Sequence, residues 1–341
     1  MKKTSLYILI LTAAVACAFA GKSFWHLKVQ NLTSRDGEAH YIYVYPHTTC
    51  EQLLTELQAH YRFASQFHFR LHCRLMHFSE PKTGCYLLSS ALCDLDVIRR
   101  FRNQEQTPVQ VTFNNIRTAP QLAQRLASQL MLDSLDIITR LESDSCMQHY
   151  GLSAATAVSL FIPDTYELYW NISPDALFER MQKEYRHFWN ETRLEKAKAL
   201  SLTPAQVATI ASIIEEESNR QAEYPVIAGL YINRLKKNMP LQACPTVKFA
   251  LQDFGLRRIL EKHLQVDSPY NTYKYVGLPP GPIRIPRAST MDAVLNRQQH
   301  NYLYMCANAD FSGTHHFSAT YAEHARYARY YQAELNKRKI K

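Results

Sequence analysis

The sequence predicts an α+β protein with an apolar amino-terminal segment, a small α+β module and a larger, mostly helical α+β domain. Three observations carry this reading. Short β-patterned runs alternate with short helical ones between residues 39 and 110. From there to about residue 200 the apolar spacing is mostly helical, and a well-capped helix starts at Thr203. Finally, Leu6–Ala20 is a continuous apolar run behind Met1-Lys2-Lys3.

That run predicts export to, or anchoring in, a membrane. Three outcomes compete. A single-pass anchor over residues 1–25 is favoured, with Phe24 and Trp25 at an interface. Ala18-Phe19-Ala20 offers a signal-peptide cleavage site, and Ala14-Val15-Ala16-Cys17 a weak lipoprotein box. Each outcome puts the body of the chain outside the cytoplasm.

In the small module, Tyr41–Tyr45 reads as a strand, Pro46-His47 as a turn, and Thr48 or Thr49 as the start of a helix through Leu57. Gly84–Leu88 reads as a returning strand, Asp94–Phe101 as a helix and Val109–Phe113 as a further strand. Phe161-Ile162-Pro163-Asp164-Thr165-Tyr166 breaks the helical pattern that follows. Thr203-Pro204-Ala205-Gln206 then combines an N-cap, a first-position proline and a capping-box glutamine. A second helix covers roughly Glu223–Lys237, with Asn238 as a left-handed terminator. The segments 241–247, 270–273 and 277–283 read as ordered loops rich in hydroxyl, amide and aromatic groups.

Composition excludes several functions. The 341 residues are 46 % apolar and 20 % charged, an ordinary globular mix long enough for two domains. Only 9 glycines occur, with no GxGxxG or GxxxxGK[ST], which argues against the common nucleotide enzymes. The net charge of +9 is spread along the chain without a basic block, so no nucleic-acid partner is expected. Eight cysteines include no CxxC pair, and one or two disulfides among Cys50, Cys73, Cys85 and Cys93 compete with free thiols. His315, His316 and His324 lack a metal-site spacing such as HExxH. No metal or cofactor is expected.

The chemistry concentrates in ASIIEEES, residues 211–218. Helical spacing puts Glu217 beside the stripe formed by Val207, Ile210, Ala211, Ile213 and Ile214, with Glu216 pointing away and Glu215 on the other flank. Desolvation and neighbouring carboxylates both raise a carboxyl pKa, so Glu217 is a candidate general acid. Glycosidic cleavage needs such a proton donor. Asn233, Gln242, Tyr270, Asn271, Thr272 and Tyr273 supply the amides, hydroxyls and rings that bind sugars; a packing role is the alternative for each tyrosine.

These segments, with LYINRLKKNMPLQACPTVKFAL (230–251), YNTY (270–273), GLPPGPI (277–283), YLYMCAN (302–308), GTHHFS (313–318) and EHA (323–325), resemble the YceG-like endolytic murein transglycosylases, the MltG family. FIPDTYEL (161–168) resembles the family's upstream element, and residues 39–110, with Gly84-Cys85-Tyr86, look like its LysM-like subdomain. The resemblance implies a YceG-like catalytic domain over residues 111–338. It also implies cleavage of the β-1,4 bond between N-acetylmuramic acid and N-acetylglucosamine in peptidoglycan glycan strands, leaving 1,6-anhydro ends and limiting strand length. By its motif Glu217 is the catalytic acid and Glu215 a supporting one; Asn233, Gln242, Tyr270, Asn271, Tyr273 and His315 line the cleft. Anchoring in the inner membrane, a periplasmic catalytic domain and partnership with peptidoglycan synthases also follow from the resemblance. The chain departs from the family at Cys244, where an aspartate is usual, at Thr314 for glycine and at Ala325 for asparagine. Two other readings stay open: a non-catalytic glycan-binding scaffold, and a hydrolase with the same acid but water as nucleophile.

Overall fold

The computed structural model describes residues 2–256 and 259–338. The chain divides into two compact units, residues 1–111 with 166–172, and residues 112–165 with 173–341.

In the first unit, helix α1 (Lys2–Lys28) is followed by β1 (Leu32–Ser34), β2 (His40–Val44), α2 (Cys50–His60), β3 (Tyr61–Phe63), α3 (Gln66–Leu75), β4 (Gly84–Leu88), β5 (Ala91–Leu92), α4 (Asp94–Asn103) and β6 (Val109–Thr112). Residues Ser5–Lys28 of α1 form a helix long and apolar enough to cross a membrane: 24 residues at about 1.5 Å each exceed a hydrocarbon core of roughly 30 Å. Leu6 to Leu11 are exposed along it. Its carboxy-terminal end packs on the unit, where Ser23 hydrogen-bonds His72 at 2.7 Å and His26 is buried.

β2 and β4 pair antiparallel, Ile42 opposite Tyr86, and β1 lies between β3 and β5. Alternation along β2 buries Ile42 and Val44 while leaving Tyr41 and Tyr43 exposed. The core is closed by Leu53, Leu54 and Leu57 from α2, Phe69 from α3, and Val97, Ile98 and Phe101 from α4. Thr49 and Gln52 form the capping box that starts α2, and His47 takes φ 62° in the turn before it. β7 (Thr165–Leu168) brings residues 166–172 back to this unit, so FIPDTYEL straddles the boundary.

The second unit is mostly helical. It contains α5 (Ala119–Ala127), α6 (Ser134–Leu141), α7 (Asp144–Gln148), α8 (Pro174–Phe188), α9 (Glu191–Ala199), α10 (Pro204–Glu217), α11 (Tyr224–Lys236), α12 (Cys244–Leu251), α13 (Glu261–Leu264) and α14 (Ala288–Leu295). The hairpin β8 (Tyr304–Ala307) and β9 (His315–Ser318) and the last helix α15 (Tyr321–Lys337) complete it. α10 packs against α9, α11, α12 and α14, burying Val207, Ile210, Ala211, Ile213 and Ile214. The capping box at Thr203 and Gln206 forms as its sequence requires, and Asn238 ends the α11 region at φ 51°.

The segment 241–247 departs from the loop reading. Pro245 supplies a first-turn position that lacks no needed N–H, and α12 starts at Cys244. The GLPPGPI segment is a true loop, held because Ile283 N–H donates to Ser212 Oγ at 3.0 Å. Gly281 is required there, since a Cβ at that position would lie 1.8 Å from the Ala155 carbonyl oxygen.

Candidate active site

Three successive carboxylates end α10, and the turn of about 100° per residue sends them to three different places. Glu215 is buried against the start of α14. Its Oε1 accepts from the Arg287 backbone N–H at 2.7 Å and from Thr290 Oγ1 at 2.5 Å, and its Oε2 lies 3.2 Å from Arg284 Nε. Glu216 pairs with Arg117 and Arg284 at 3.1 and 2.9 Å. Glu217 instead faces a cleft and accepts a 3.2 Å hydrogen bond from Tyr231 Oη.

This distribution corrects the expected cause of the Glu217 pKa. Burial of the carboxyl pushes it up to about 7, opposed by the Tyr231 hydrogen bond and the charges of His315, Arg234 and Lys248. Arginines neutralise the neighbouring glutamates, so the shift comes from desolvation. Glu215 fixes the end of α10 to the start of α14.

Two hollows meet at Glu217. One, of about 420 Å³, is lined by Tyr231, Arg234, Gln242, Cys244, Tyr273, Tyr304 and His324 among others. The other, of about 470 Å³, is lined by Ser218, Arg220, Asn308, Phe311, Thr314 and Tyr331 among others. Glu217, Ala307 and His315 border both. The hairpin explains the last two: Ala307 and His315 are paired across β8 and β9. Among the described residues lining the two hollows, Glu217 is the one carboxyl group.

His315 is held from behind. Glu223 accepts its backbone N–H at 2.7 Å and contacts its Nδ1 at 2.9 Å, while Ser218 Oγ donates to the same carboxylate at 2.9 Å. Arg234 is buried and spends its donors on carbonyls, those of Leu303 at 2.6 Å, Pro240 at 3.1 Å and Leu241 at 2.9 Å. It thus ties the loop before α12 to the hairpin and leaves a cation near Glu217. Cys244 Sγ lies 3.0 Å from Tyr273 Oη at the wall of the first hollow.

Of the residues singled out from sequence, Gln242, Tyr273 and His315 thus join Glu217 at the cleft. Asn233, Tyr270 and Asn271 are placed elsewhere. Asn233 Nδ2 donates to the carbonyls of His300 and Tyr302 at 2.7 and 3.2 Å. Tyr270 packs on Phe249, ring centroids 4.7 Å apart. Asn271 is fully buried and clamps its own loop through Leu264 O, Val266 O and Tyr273 N. Thr272 likewise receives the Ala243 N–H at 3.0 Å and supports the loop. Such clamps use the same residue types as sugar binding, which is why composition alone does not separate them. Tyr231, Arg234 and Glu223 are not singled out by the sequence patterns, although Tyr231 and Arg234 stand three apart on one face of α11, a spacing visible in YINR.

The YceG-like family model matches residues 42–330. The chain belongs to the YceG-like family. It is 29 % identical over 289 residues to an endolytic murein transglycosylase of Bacillus subtilis, covering 79 % of this chain and 78 % of that protein. A protein of the same description from Streptococcus pneumoniae is 24 % identical over 275 residues, spanning 70 % of this chain and 49 % of its relative. A crystal structure of a YceG-like protein from Listeria monocytogenes aligns with a TM-score of 0.56 at 27 % identity, covering 85 % of this chain and 98 % of that one.

Proposed function

We propose that this YceG-like protein is an endolytic murein transglycosylase, cutting the β-1,4 bond between N-acetylmuramic acid and N-acetylglucosamine with Glu217 as its catalytic group. The observation that carries the reading is the position of Glu217 between two hollows. A bond held over that carboxyl has room for sugar units on both sides, as internal cleavage of a strand requires. The two relatives described as endolytic murein transglycosylases support the same substrate class.

One carboxyl does both proton transfers. With a pKa of about 7, a large share of Glu217 holds its proton at neutral pH and passes it to the bridging oxygen as the C1–O bond breaks. The resulting carboxylate, stabilised by Tyr231 and nearby cations, takes the proton from the muramyl 6-hydroxyl. That oxygen closes on C1, giving the 1,6-anhydro end and regenerating the acid. No water is consumed. A hydrolase of the usual kind needs a second carboxyl as base or nucleophile, whereas Glu215 and Glu216 are occupied by arginines and Glu223 by His315 and Ser218. The anhydro reading is therefore favoured over hydrolysis.

The same proposal has α1 anchor the enzyme in the inner membrane with its body in the periplasm, where cleavage of nascent strands by the membrane limits their length beside the synthases. It also takes the first unit as LysM-like, a reading supported by the two helices α2 and α3 between antiparallel β2 and β4. The test incubates the full chain in detergent with uncrosslinked glycan strands, alongside Glu217→Gln, and reads the products by mass spectrometry. Internal fragments with anhydro-muramyl ends from the unaltered chain alone are expected. Reducing ends would move the protein to the hydrolases, and binding without products from either would leave a scaffold.

A further inference from the structure

In the first unit, away from the glutamate cleft, two thiols meet. Cys50 is the first residue of α2, and it and Cys73 of α3 are neighbours that line one cavity. The other two cysteines of the sequence group go elsewhere: Cys85 lies opposite Tyr43 across β4 and β2, and Cys93 precedes α4. Cys73 is buried at 4 % exposure, while Cys50 is half-buried and opens onto a cavity of about 480 Å³. Arg70, Arg74 and His77 line that cavity with Phe78. Glu51 lines it too and pairs with Arg70 at 3.0 Å, and Cys73 borders the same cavity as the more buried of the two thiols.

We propose that Cys50 and Cys73 are an oxidisable dithiol, and that the cavity in front of Cys50 admits its oxidant, a disulfide-bearing thiol-exchange partner. The two sulfurs have different roles. Cys50 is the more exposed of the two and faces the cavity, and its thiol is held below the usual range by its contact with Cys73 and, more weakly, by the Arg70 guanidinium, against desolvation and the Glu51 charge. Burial and its neighbour push the Cys73 thiol up. Cys50 therefore attacks first. Its thiolate breaks the S–S bond of the oxidant, forming a mixed disulfide and releasing one oxidant thiol. Cys73, losing its proton as it reacts, then displaces the second oxidant thiol from Cys50. In sum, two cysteine thiols lose two protons and two electrons, and the oxidant's disulfide becomes two thiols.

The bridge ties the start of α2 to α3 and closes the chain between residues 50 and 73. A loop of this size removes enough unfolded-chain freedom to raise the melting midpoint of the first unit by on the order of 10 °C. Oxidation inside the cell rests on the reading that the body of the chain faces an oxidising compartment. The chemistry of the pair does not, so its failure in vitro leaves the glycan reading untouched.

The experiment takes the full chain in detergent, fully reduced, and titrates it with oxidised glutathione. Free thiols are trapped by alkylation and located by peptide mass spectrometry, with thermal melts alongside. A linked Cys50–Cys73 peptide is expected, with a higher melting midpoint that dithiothreitol reverses. Cys73→Ser should accumulate glutathione on Cys50, and Cys50→Ser should leave Cys73 alkylatable and unbridged. The proposal is overturned if Cys50 and Cys73 both stay alkylatable across the titration, or if either links to another cysteine. A bridge that leaves the melting midpoint unmoved would overturn the stapling role.

Discussion

Tyr231 Oη sits 3.2 Å from Glu217 Oε1, buried on α11 one helix away from the carboxyl it touches. The tyrosine's own pKa is driven well above its usual value by burial and by the glutamate, so it stays a donor throughout any working pH range. A fixed donor favours the carboxylate over the acid. It tempers the upward push of desolvation and, in the mechanism proposed above, stabilises Glu217 in the half of the cycle when it acts as base.

This relationship sets the pH profile. As the proposed first step needs protonated Glu217, kcat/KM should fall as pH rises through about 7. Tyr231→Phe removes a donor to the charged form, so the descending limb should move to higher pH. Losing a charge-assisted hydrogen bond of about 1.5–3 kcal/mol should also lower kcat by about 10- to 100-fold. Steady-state release of anhydro ends, measured from pH 5 to 9, checks both. A lower kcat with an unmoved limb would show that Tyr231 only packs.

Cys244 predicts the same limb from the other side. It lines the hollow beside Glu217, and its sulfur is 3.0 Å from Tyr273 Oη. Cys244→Asp brings a negative charge to that wall. A like charge disfavours ionisation, so the Glu217 limb should rise by about 1 unit. The pH profile of the variant reads this directly, and low salt should enlarge the shift because screening is weaker. A limb displaced to lower pH would mean that the new carboxylate draws a cation toward Glu217.

Much of this geometry is legible in the sequence, and the parts that are not share one cause. The start of α10 follows from local chemistry, because Thr203, Pro204 and Gln206 satisfy the helix end with their own atoms. The position of Glu217 beside a buried stripe follows from helical period alone. What period cannot show is which partner lies across the gap. The arginines that neutralise Glu215 and Glu216 come from positions 117, 284 and 287, far along the chain. Asn233 and Asn271 have the composition of ligand-binding amides, yet their nearest acceptors are backbone carbonyls. The start of α12 was hidden because Pro245 serves a loop and a first helical turn equally well.

Burial of Glu217 has a cost in stability, with a definite sign. Its folded pKa of about 7 lies above the ordinary value of 4.5, so between those pH values the folded state holds more proton than the unfolded one. Stability therefore declines as pH rises from about 4.5 to 7 and the penalty is complete above it. Glu217→Gln keeps an acceptor for Tyr231 and removes the charge. The variant should match the unaltered chain near pH 4 and exceed it at pH 8 by on the order of 2–3 kcal/mol. Chemical denaturation of the second unit's transition at the two pH values measures the difference. Equal stability at pH 8 would place the Glu217 carboxyl in contact with bulk water.

Glu223 and His315 should behave as one device. The carboxylate takes the His315 backbone N–H at 2.7 Å and faces its Nδ1 at 2.9 Å, so the ring is oriented at the border of both hollows with its other nitrogen fixed in role. His315→Ala removes the ring, and Glu223→Gln keeps the size of the side chain while giving up one acceptor and the charge. Each should reduce kcat/KM by about 10-fold, the worth of roughly 1.5 kcal/mol. If Glu223 acts through His315 alone, the double variant is no slower than His315→Ala. Losses that multiply to about 100-fold would mean independent action, with Glu223 working through Ser218 and the end of α10 instead. The Glu223→Gln loss should fall on kcat more than on KM, because an unheld ring still occupies the cleft but spends less time in the reacting orientation.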